Sequence, residues 1–297
     1  MAHFSADYSV DYTRLNYYSI AFAAYLRKHP LLIHLKSVTT RFIGLMEIYT
    51  YNGLFFTIYD NGRIIIEGSL HRYWNQGKQN FNDYSFNDLC LTLQDLSEKF
   101  TSTILEGEVQ NIECGINFIL PFPVRDYLDT VITLKGTSPS RKHSIVKDDL
   151  KGFEKGYHFK KSHYGLKIYD KGKQYNRLES IVRHEFKTFR MQIIENIGIK
   201  YLSDLKDKQK IADLSKKLLE IYSSVLIAEK LPLNTLSRAQ ERIYLECSND
   251  SNWGSWNRAK RAKKLKQFNQ ILYKHASTDI KSIVTSLLIE MREKLLV

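Results

Sequence analysis

Cysteine, proline and glycine are scarce in this chain, and each scarcity excludes something. Its three cysteines, Cys90, Cys114 and Cys247, are odd in number, far apart and without a CxxC pair. That argues against a disulfide framework or a cysteine-based zinc site and for a reducing cytoplasm. Five prolines and 14 glycines in 297 residues leave no room for long flexible linkers or a collagen-like tract. No low-complexity segment or solenoid repeat is visible. Apolar runs such as residues 53–59 and 64–66 fall far short of the roughly 20 residues that cross a bilayer. The opening MAHFSADYSVDYTRLNYY has acids ahead of any apolar stretch, which is not the layout of a secretory signal.

Acidic side chains are outnumbered as well. Against 44 Lys and Arg stand 32 Asp and Glu, giving a formal charge of +12. A folded chain this basic meets a polyanion, either nucleic acid or an acidic membrane surface. With 43% hydrophobic and 26% charged residues the composition is globular, and the length suits one large domain or two ordinary ones.

Local patterns give an order of elements, with the first 50 residues left open. Residues 54–59 and 63–69 flank Asp60-Asn61-Gly62, a hairpin signal. Ser85 or Asn87 caps a helix through Phe100, with Leu89, Leu91, Leu93, Leu96 and Phe100 as its apolar stripe. Residues 109–120 read as a strand and 124–134 as a helix. Strands follow at 156–161, 164–171 and 180–189. From Met191 the period turns helical: a short piece to Ile197 stopped by Gly198, then 203–228, 237–247, 255–275 and 279–296. The fold class is α+β, an antiparallel-leaning sheet with helices on one face, followed by an all-α C-terminal region. The expected division is an α+β domain over 1–200 and a helical basic region over 201–297.

Alternation sorts three of the strands into faces. One face of 109–120 carries Asn111, Glu113, Gly115 and Asn117; one face of 166–171 carries Lys167, Tyr169 and Lys171; one face of 181–187 carries Arg183, Glu185 and Lys187. Two carboxylates, a tyrosine and several cations on one sheet face suit metal-assisted phosphoryl transfer with a tyrosine nucleophile. A phenol, with pKa near ~10, needs a neighbouring lysine or divalent ion to act as phenolate at neutral pH. The plainer reading is also open: strand glutamates are commonly solvated or salt-bridged, and most of the 19 tyrosines serve packing or surface.

GLKIYDKGKQ (165–174) and SIVRHEFKTFRMQIIENIGI (180–199), with NIECGINF (111–118) and IIIEGSLHRYWNQGKQNFNDYSFNDL (64–89) upstream, resemble the replication initiators of filamentous phages and related rolling-circle plasmids. The likeness covers roughly residues 54–205 and rests on order and spacing. It implies that Tyr169 is the nucleophile, Lys171 its basic neighbour, and Glu113 and Glu185 the acids holding Mg²⁺ or Mn²⁺. Arg183 would meet the scissile or adjacent phosphate, and Lys167 and Lys187 would contact DNA. Two departures stand out. Better-known rolling-circle enzymes carry a His-hydrophobe-His metal motif, whereas here His158 and His163 are five residues apart. The upstream acid is Glu113 where Asp is common. His71 is a possible ligand, with packing its commoner role.

The tail adds a cationic signal. Between Arg238 and Lys274 lie nine Lys or Arg and three acids, and Arg258, Lys260, Arg261, Lys263, Lys264 and Lys266 crowd one helix. With few interleaved acids, that run is read as contacting phosphates, with a helix–turn–helix over 255–266 only weakly signalled. Trp253 and Trp256 either stack on bases or pack the helix pair, packing being favoured.

The leading expectation is a cytoplasmic replication-initiation endonuclease working in a bacterial host. It would bind origin DNA, double- and single-stranded, cut one strand and retain a 5′-phosphotyrosine. A host polymerase would extend the free 3′-OH, a host helicase is a further expected partner, and no membrane is involved. No GxxxxGK[ST] loop is present, in keeping with chemistry that needs no ATP. The alternative is a non-enzymatic basic DNA- or RNA-binding regulator. A tyrosine recombinase is disfavoured, since no His-x-x-Arg element precedes a tyrosine.

Overall fold

The computed structural model describes residues 8–41, 44–82, 84–142 and 156–296. The first seven residues of the N-terminal reading, and Asp83, lie outside the described residues. In chain order the strands and α-helices are β1 (Tyr8–Tyr18), α1 (Ile20–Arg27), β2 (Ile33–Thr40), β3 (Gly44–Tyr51), β4 (Leu54–Tyr59), β5 (Arg63–Ser69), α2 (Leu70–Trp74), α3 (Phe86–Phe100) and β6 (Glu108–Ile119). Then come α4 (Val124–Leu128), β7 (Val131–Leu134), β8 (Ser140–Lys142), β9 (Gly156–Lys160), β10 (Tyr164–Asp170), α5 (Lys171–Gln174) and β11 (Ile181–Thr188). The remainder is α6 (Lys208–Ser223), β12 (Val225–Ile227), α7 (Arg238–Ser248), α8 (Asp250–Ser255), α9 (Arg258–His275) and α10 (Ile280–Leu295). The fold is α+β with a large antiparallel sheet and a mainly helical C-terminal region. No helix among the described residues is long and apolar enough to cross a membrane.

Two compact units interleave along the sequence. Residues 1–116, 185–218 and 291–297 form the first, and residues 117–184 and 219–290 the second. Residues 201–297 are thus divided between the two.

In the first unit the strand order is β2-β3-β4-β5-β1-β6-β11. β4 and β5 pair antiparallel, Ile58 opposite Ile64, across the turn at Asp60-Asn61-Gly62. Gly62 holds φ +80°, a left-handed conformation that a side chain would strain. Ser85 caps α3 in a reciprocal capping box with Asp88. Leu89, Leu93, Leu96 and Phe100 are buried, and the Phe100 ring meets Phe56 at 5.2 Å. Leu91 is exposed: two residues beyond Leu89 turn it about 200° away from the stripe.

In the second unit the strands run β11-β10-β9-β8, with β7 and β12 in a separate antiparallel ladder. Its helical part buries Tyr244, Cys247, Trp253, Trp256, Phe268 and Ile271 in one cluster. The Trp253 indole N–H donates to the Cys247 carbonyl at 2.7 Å, and the two tryptophan rings lie 5.1 Å apart. Both tryptophans pack.

Two expected helices are shorter than their patterns. Residues 124–134 form a helix only to Leu128, where Thr130 Oγ1 donates to the Tyr127 carbonyl at 2.6 Å. The β-branched run Val131-Ile132-Thr133 then extends, since branched side chains lose rotamer freedom in a helix. Its four strand residues are buried on both faces, so no alternation marks them. Likewise the expected helix over 203–228 ends at Ser223, and Val225–Ile227 pairs with β7, Val225 opposite Leu134.

Candidate functional site

The sequence-derived site residues fall in both units, and each unit makes its own constellation. In the second, Tyr169 is the next-to-last residue of β10 and lies opposite Gly156 of β9, a cross-strand partner without a side chain. Asp170 ends the strand and caps α5, its carboxylate accepting from the Lys173 N–H at 2.8 Å. Burial pushes the Asp170 carboxyl up from its ordinary value. The cap places Lys171 at the first position of α5, 1% exposed. Its ammonium stands 5.6 Å from the Tyr169 ring centroid and 5.1 Å from that of Tyr175. One buried cation therefore serves two phenol rings, Tyr169 buried and Tyr175 half-buried. On β11, Arg183 is fully buried and donates from Nη1 to Asn117 Oδ1 of β6 at 2.9 Å. Lys167, on the same face of β10 as Tyr169, is half-buried opposite His158.

A buried guanidinium beside a buried amide, and a buried ammonium over two phenols, are costly to hold unless they meet negative charge or hydrogen-bond acceptors. A cation held beside a phenol favours its anionic form over the neutral one.

In the first unit Glu113 and Glu185 are both buried. Lys187 Nζ lies 2.5 Å from Glu113 Oε1 and 4.4 Å from the Tyr12 ring centroid. Tyr12 donates its hydroxyl to Glu67 Oε2 at 3.1 Å, and Arg14 Nη1 meets the same oxygen at 2.8 Å. Burial first, then the Glu67 carboxylate, push the Tyr12 phenol well up, so this tyrosine is held neutral. Sequence reading passed over Tyr12, whose partners lie 55 and more residues away.

The metal expectation does not fit these residues. Among the described residues no three His, Cys, Asp or Glu side chains gather as a ligand set. Glu113, one of the two expected ligands, already has an ammonium as counter-charge. His71 packs: it is fully buried, stacked on Tyr84 at 4.7 Å, with Nε2 at 3.0 Å from Asn82 Oδ1.

The cationic run lies on α9, opened by Asn257, whose side chain accepts from the Lys260 N–H. Arg258, Lys260, Lys263 and Lys266 are exposed. The expectation of an unneutralised run is corrected at Lys264, whose Nζ lies 2.5 Å from Glu246 Oε2. The acid comes from the last turn of α7, outside the run itself. Lys260 is 3.9 Å from the same carboxylate and 5.1 Å from the Trp256 ring centroid. Arg261 donates to the Gly254 carbonyl at 3.2 Å.

No protein-family model matches the chain. No curated protein sequence matches it either. Among solved structures, a rolling circle replication initiator protein from Geobacillus stearothermophilus aligns at 12% identity with a TM-score of 0.45, over 90% of this chain and 97% of that one.

Proposed function

We propose that the chain is a replication-initiation endonuclease of the rolling-circle type, with Tyr169 as nucleophile. The observation that carries this reading is the buried Lys171 ammonium held over the Tyr169 ring by the Asp170 cap. The likeness of residues 165–199 to the filamentous-phage initiators supports it independently. In the proposed step the Tyr169 oxygen attacks a backbone phosphorus and the P–O3′ bond breaks. The 5′ phosphate stays on the tyrosine and the strand leaves with a 3′-OH. Lys171 lowers the cost of the phenolate, and Arg183 is assigned to a phosphate oxygen. The reverse attack by a 3′-OH rejoins the strand, so no nucleotide cofactor enters the balance. Lys167, Lys187 and the exposed face of α9 are proposed as DNA contacts, in single- and double-stranded origin DNA respectively.

Glu113 and Glu185 are proposed as carboxylates on which cleavage depends. No Mg²⁺ or Mn²⁺ is assigned to them, and no step is routed through an ion. Extension of the 3′-OH by a host polymerase, recruitment of a host helicase, and action in a bacterial cytoplasm belong to the same proposal.

The test is direct. Purified protein incubated with supercoiled or single-stranded origin DNA, with and without Mn²⁺, is resolved under denaturing conditions and the DNA-linked peptide is sequenced. The expected result is a covalent adduct on the peptide containing Tyr169, lost in Tyr169→Phe with DNA binding retained. Undiminished adduct in that variant overturns the assignment, and DNA binding without any adduct favours the regulator reading.

A further inference from the structure

Two cations not assigned above, Lys135 and Lys161, converge with Arg261 of α9 on one tight turn of the second unit. Leu134 and Thr137 exchange backbone hydrogen bonds, each 3.0 Å, around Lys135 and Gly136. Both central residues have positive φ, +49° and +72°. Two positive φ values in succession make the mirror-image turn that favours glycine, and Lys135 takes the conformation at some cost. Against this turn lies Arg261 from the first turns of α9: a Cβ built on Gly136 would sit 3.1 Å from its Nη1. Following β9, Lys161 donates its ammonium to the Thr137 hydroxyl.

Charges of one sign are thus gathered from residues 135, 161 and 261. Among the described residues none of the three forms an ion pair with a carboxylate. Arg261 Nε is buried without a hydrogen-bond partner. Burial, then Lys135 and Arg261, hold the Lys161 ammonium below its ordinary value. Uncompensated like charges destabilise a fold unless a ligand takes them up. The donors on offer are a planar guanidinium with a spare N–H, two ammoniums and a hydroxyl. They suit a tetrahedral oxyanion.

We propose that Lys135, Lys161, Arg261 and Thr137 form a phosphate-binding site at the 134–137 turn, and that its occupant is a backbone phosphate of bound DNA. The identity of the occupant rests on the DNA-binding reading above; the anion site itself does not. Lys135 and Lys161 take no part in the chemistry assigned to Tyr169.

The experiment compares the full chain with Lys135→Gln/Lys161→Gln and with Gly136→Ala. Thermal unfolding is followed with and without millimolar inorganic phosphate, and duplex affinity is followed against salt. The wild type should gain a few degrees in phosphate. The double variant should lose that gain, yet unfold no lower than the wild type without phosphate, because like-charge repulsion is relieved. Its duplex affinity should fall at least several-fold, and the slope of log affinity against log salt should flatten by about 0.9. Gly136→Ala retains all charges and reports on the turn alone: it should weaken the phosphate effect by strain and by crowding Arg261.

Equal phosphate stabilisation of wild type and double variant overturns the site. Loss of the phosphate effect with unchanged DNA affinity and salt slope overturns DNA as its source and leaves a free phosphate or nucleotide. Should the wild type bind no DNA, the functional reading fails, while the phosphate arm still decides the anion site.

Discussion

Lys187 sits 2.5 Å from the carboxylate of Glu113, with only 8% of the Glu113 side chain exposed. A buried carboxylate can neutralise an ammonium or hold a divalent ion, and the two roles compete for the same oxygens. As a counter-ion, Glu113 should couple to Lys187 by about 1–3 kcal/mol in a double-mutant cycle of Glu113→Gln and Lys187→Met. As a ligand, it should show the reverse signature, with Lys187→Met tightening Mn²⁺ binding once the competing charge is gone. Calorimetry on the four proteins of the cycle separates the cases, and substantial coupling with no metal response is the expected outcome.

Lys171 stands between two phenols, so the Tyr169 assignment has a specific rival. Tyr175 is nearer the ammonium by centroid distance and more exposed. Tyr175→Phe should leave adduct formation within about threefold of wild type, whereas Tyr169→Phe should abolish it. Lys171→Met should lower the cleavage rate by at least ~10²-fold and shift its pH profile upward, because the phenol loses the charge that favours its anion. A Tyr175→Phe protein without adduct moves the nucleophile to that residue.

Much of this architecture was legible in the chain because the signals are local. The Asn-Gly hairpin, the Ser85 cap and the alternation on β6, β10 and β11 each sit within a dozen residues. Glu113 with Lys187 and Asn117 with Arg183 meet side by side, as alternation on β6 and β11 requires. The 131–134 strand was hidden because burial on both faces removes the period-two pattern, and its apolar spacing then mimics a helix. The same logic explains what the site reading missed. Tyr12 acquires its partners from Glu67 and Lys187, and the 134–137 turn gathers cations from residues 161 and 261. No window of sequence contains either group. Their charges were countable, but their convergence is a product of the tertiary fold.

His184 offers a test of the second unit's core that is independent of DNA. Its ring is fully buried against Tyr127, Tyr222 and Phe118, with Nε2 at 3.0 Å from the Tyr127 hydroxyl. Burial lowers it from the ordinary 6.5 to about 3. The folded state therefore binds this proton less readily than the unfolded chain between those values, and stability rises with pH through that window. Acidification from pH 7 to 5 should cost about 2 kcal/mol from this residue alone. Urea unfolding at the two pH values should show the loss in wild type and a smaller one in His184→Gln. An identical pH dependence in the variant places the titration elsewhere.

The α9 face gives the clearest division between phosphate contact and structural charge. At about 100° per residue, Arg258, Lys266 and Lys263 fall within an arc of roughly 140°, while Lys260 turns toward Glu246 and Trp256. A single DNA backbone can meet the first three together. Replacing them with Gln should leave thermal stability within about 0.5 kcal/mol, since all three are exposed and none has a carboxylate partner among the described residues. Duplex affinity should drop for every sequence tested, and the salt slope should flatten by about 0.9 per lost contact, roughly 2–3 in total. Lys264→Gln is the contrasting variant. Its ammonium is held by Glu246 and only 17% of its side chain is exposed, so it should cost stability while leaving the salt slope nearly unchanged. Nicking of a short single strand, proposed to use no residue of α9, should survive the triple variant. If instead the triple variant binds duplex with the wild-type slope, α9 is not a phosphate-contacting face, and its exposed cations serve solubility or another acidic partner.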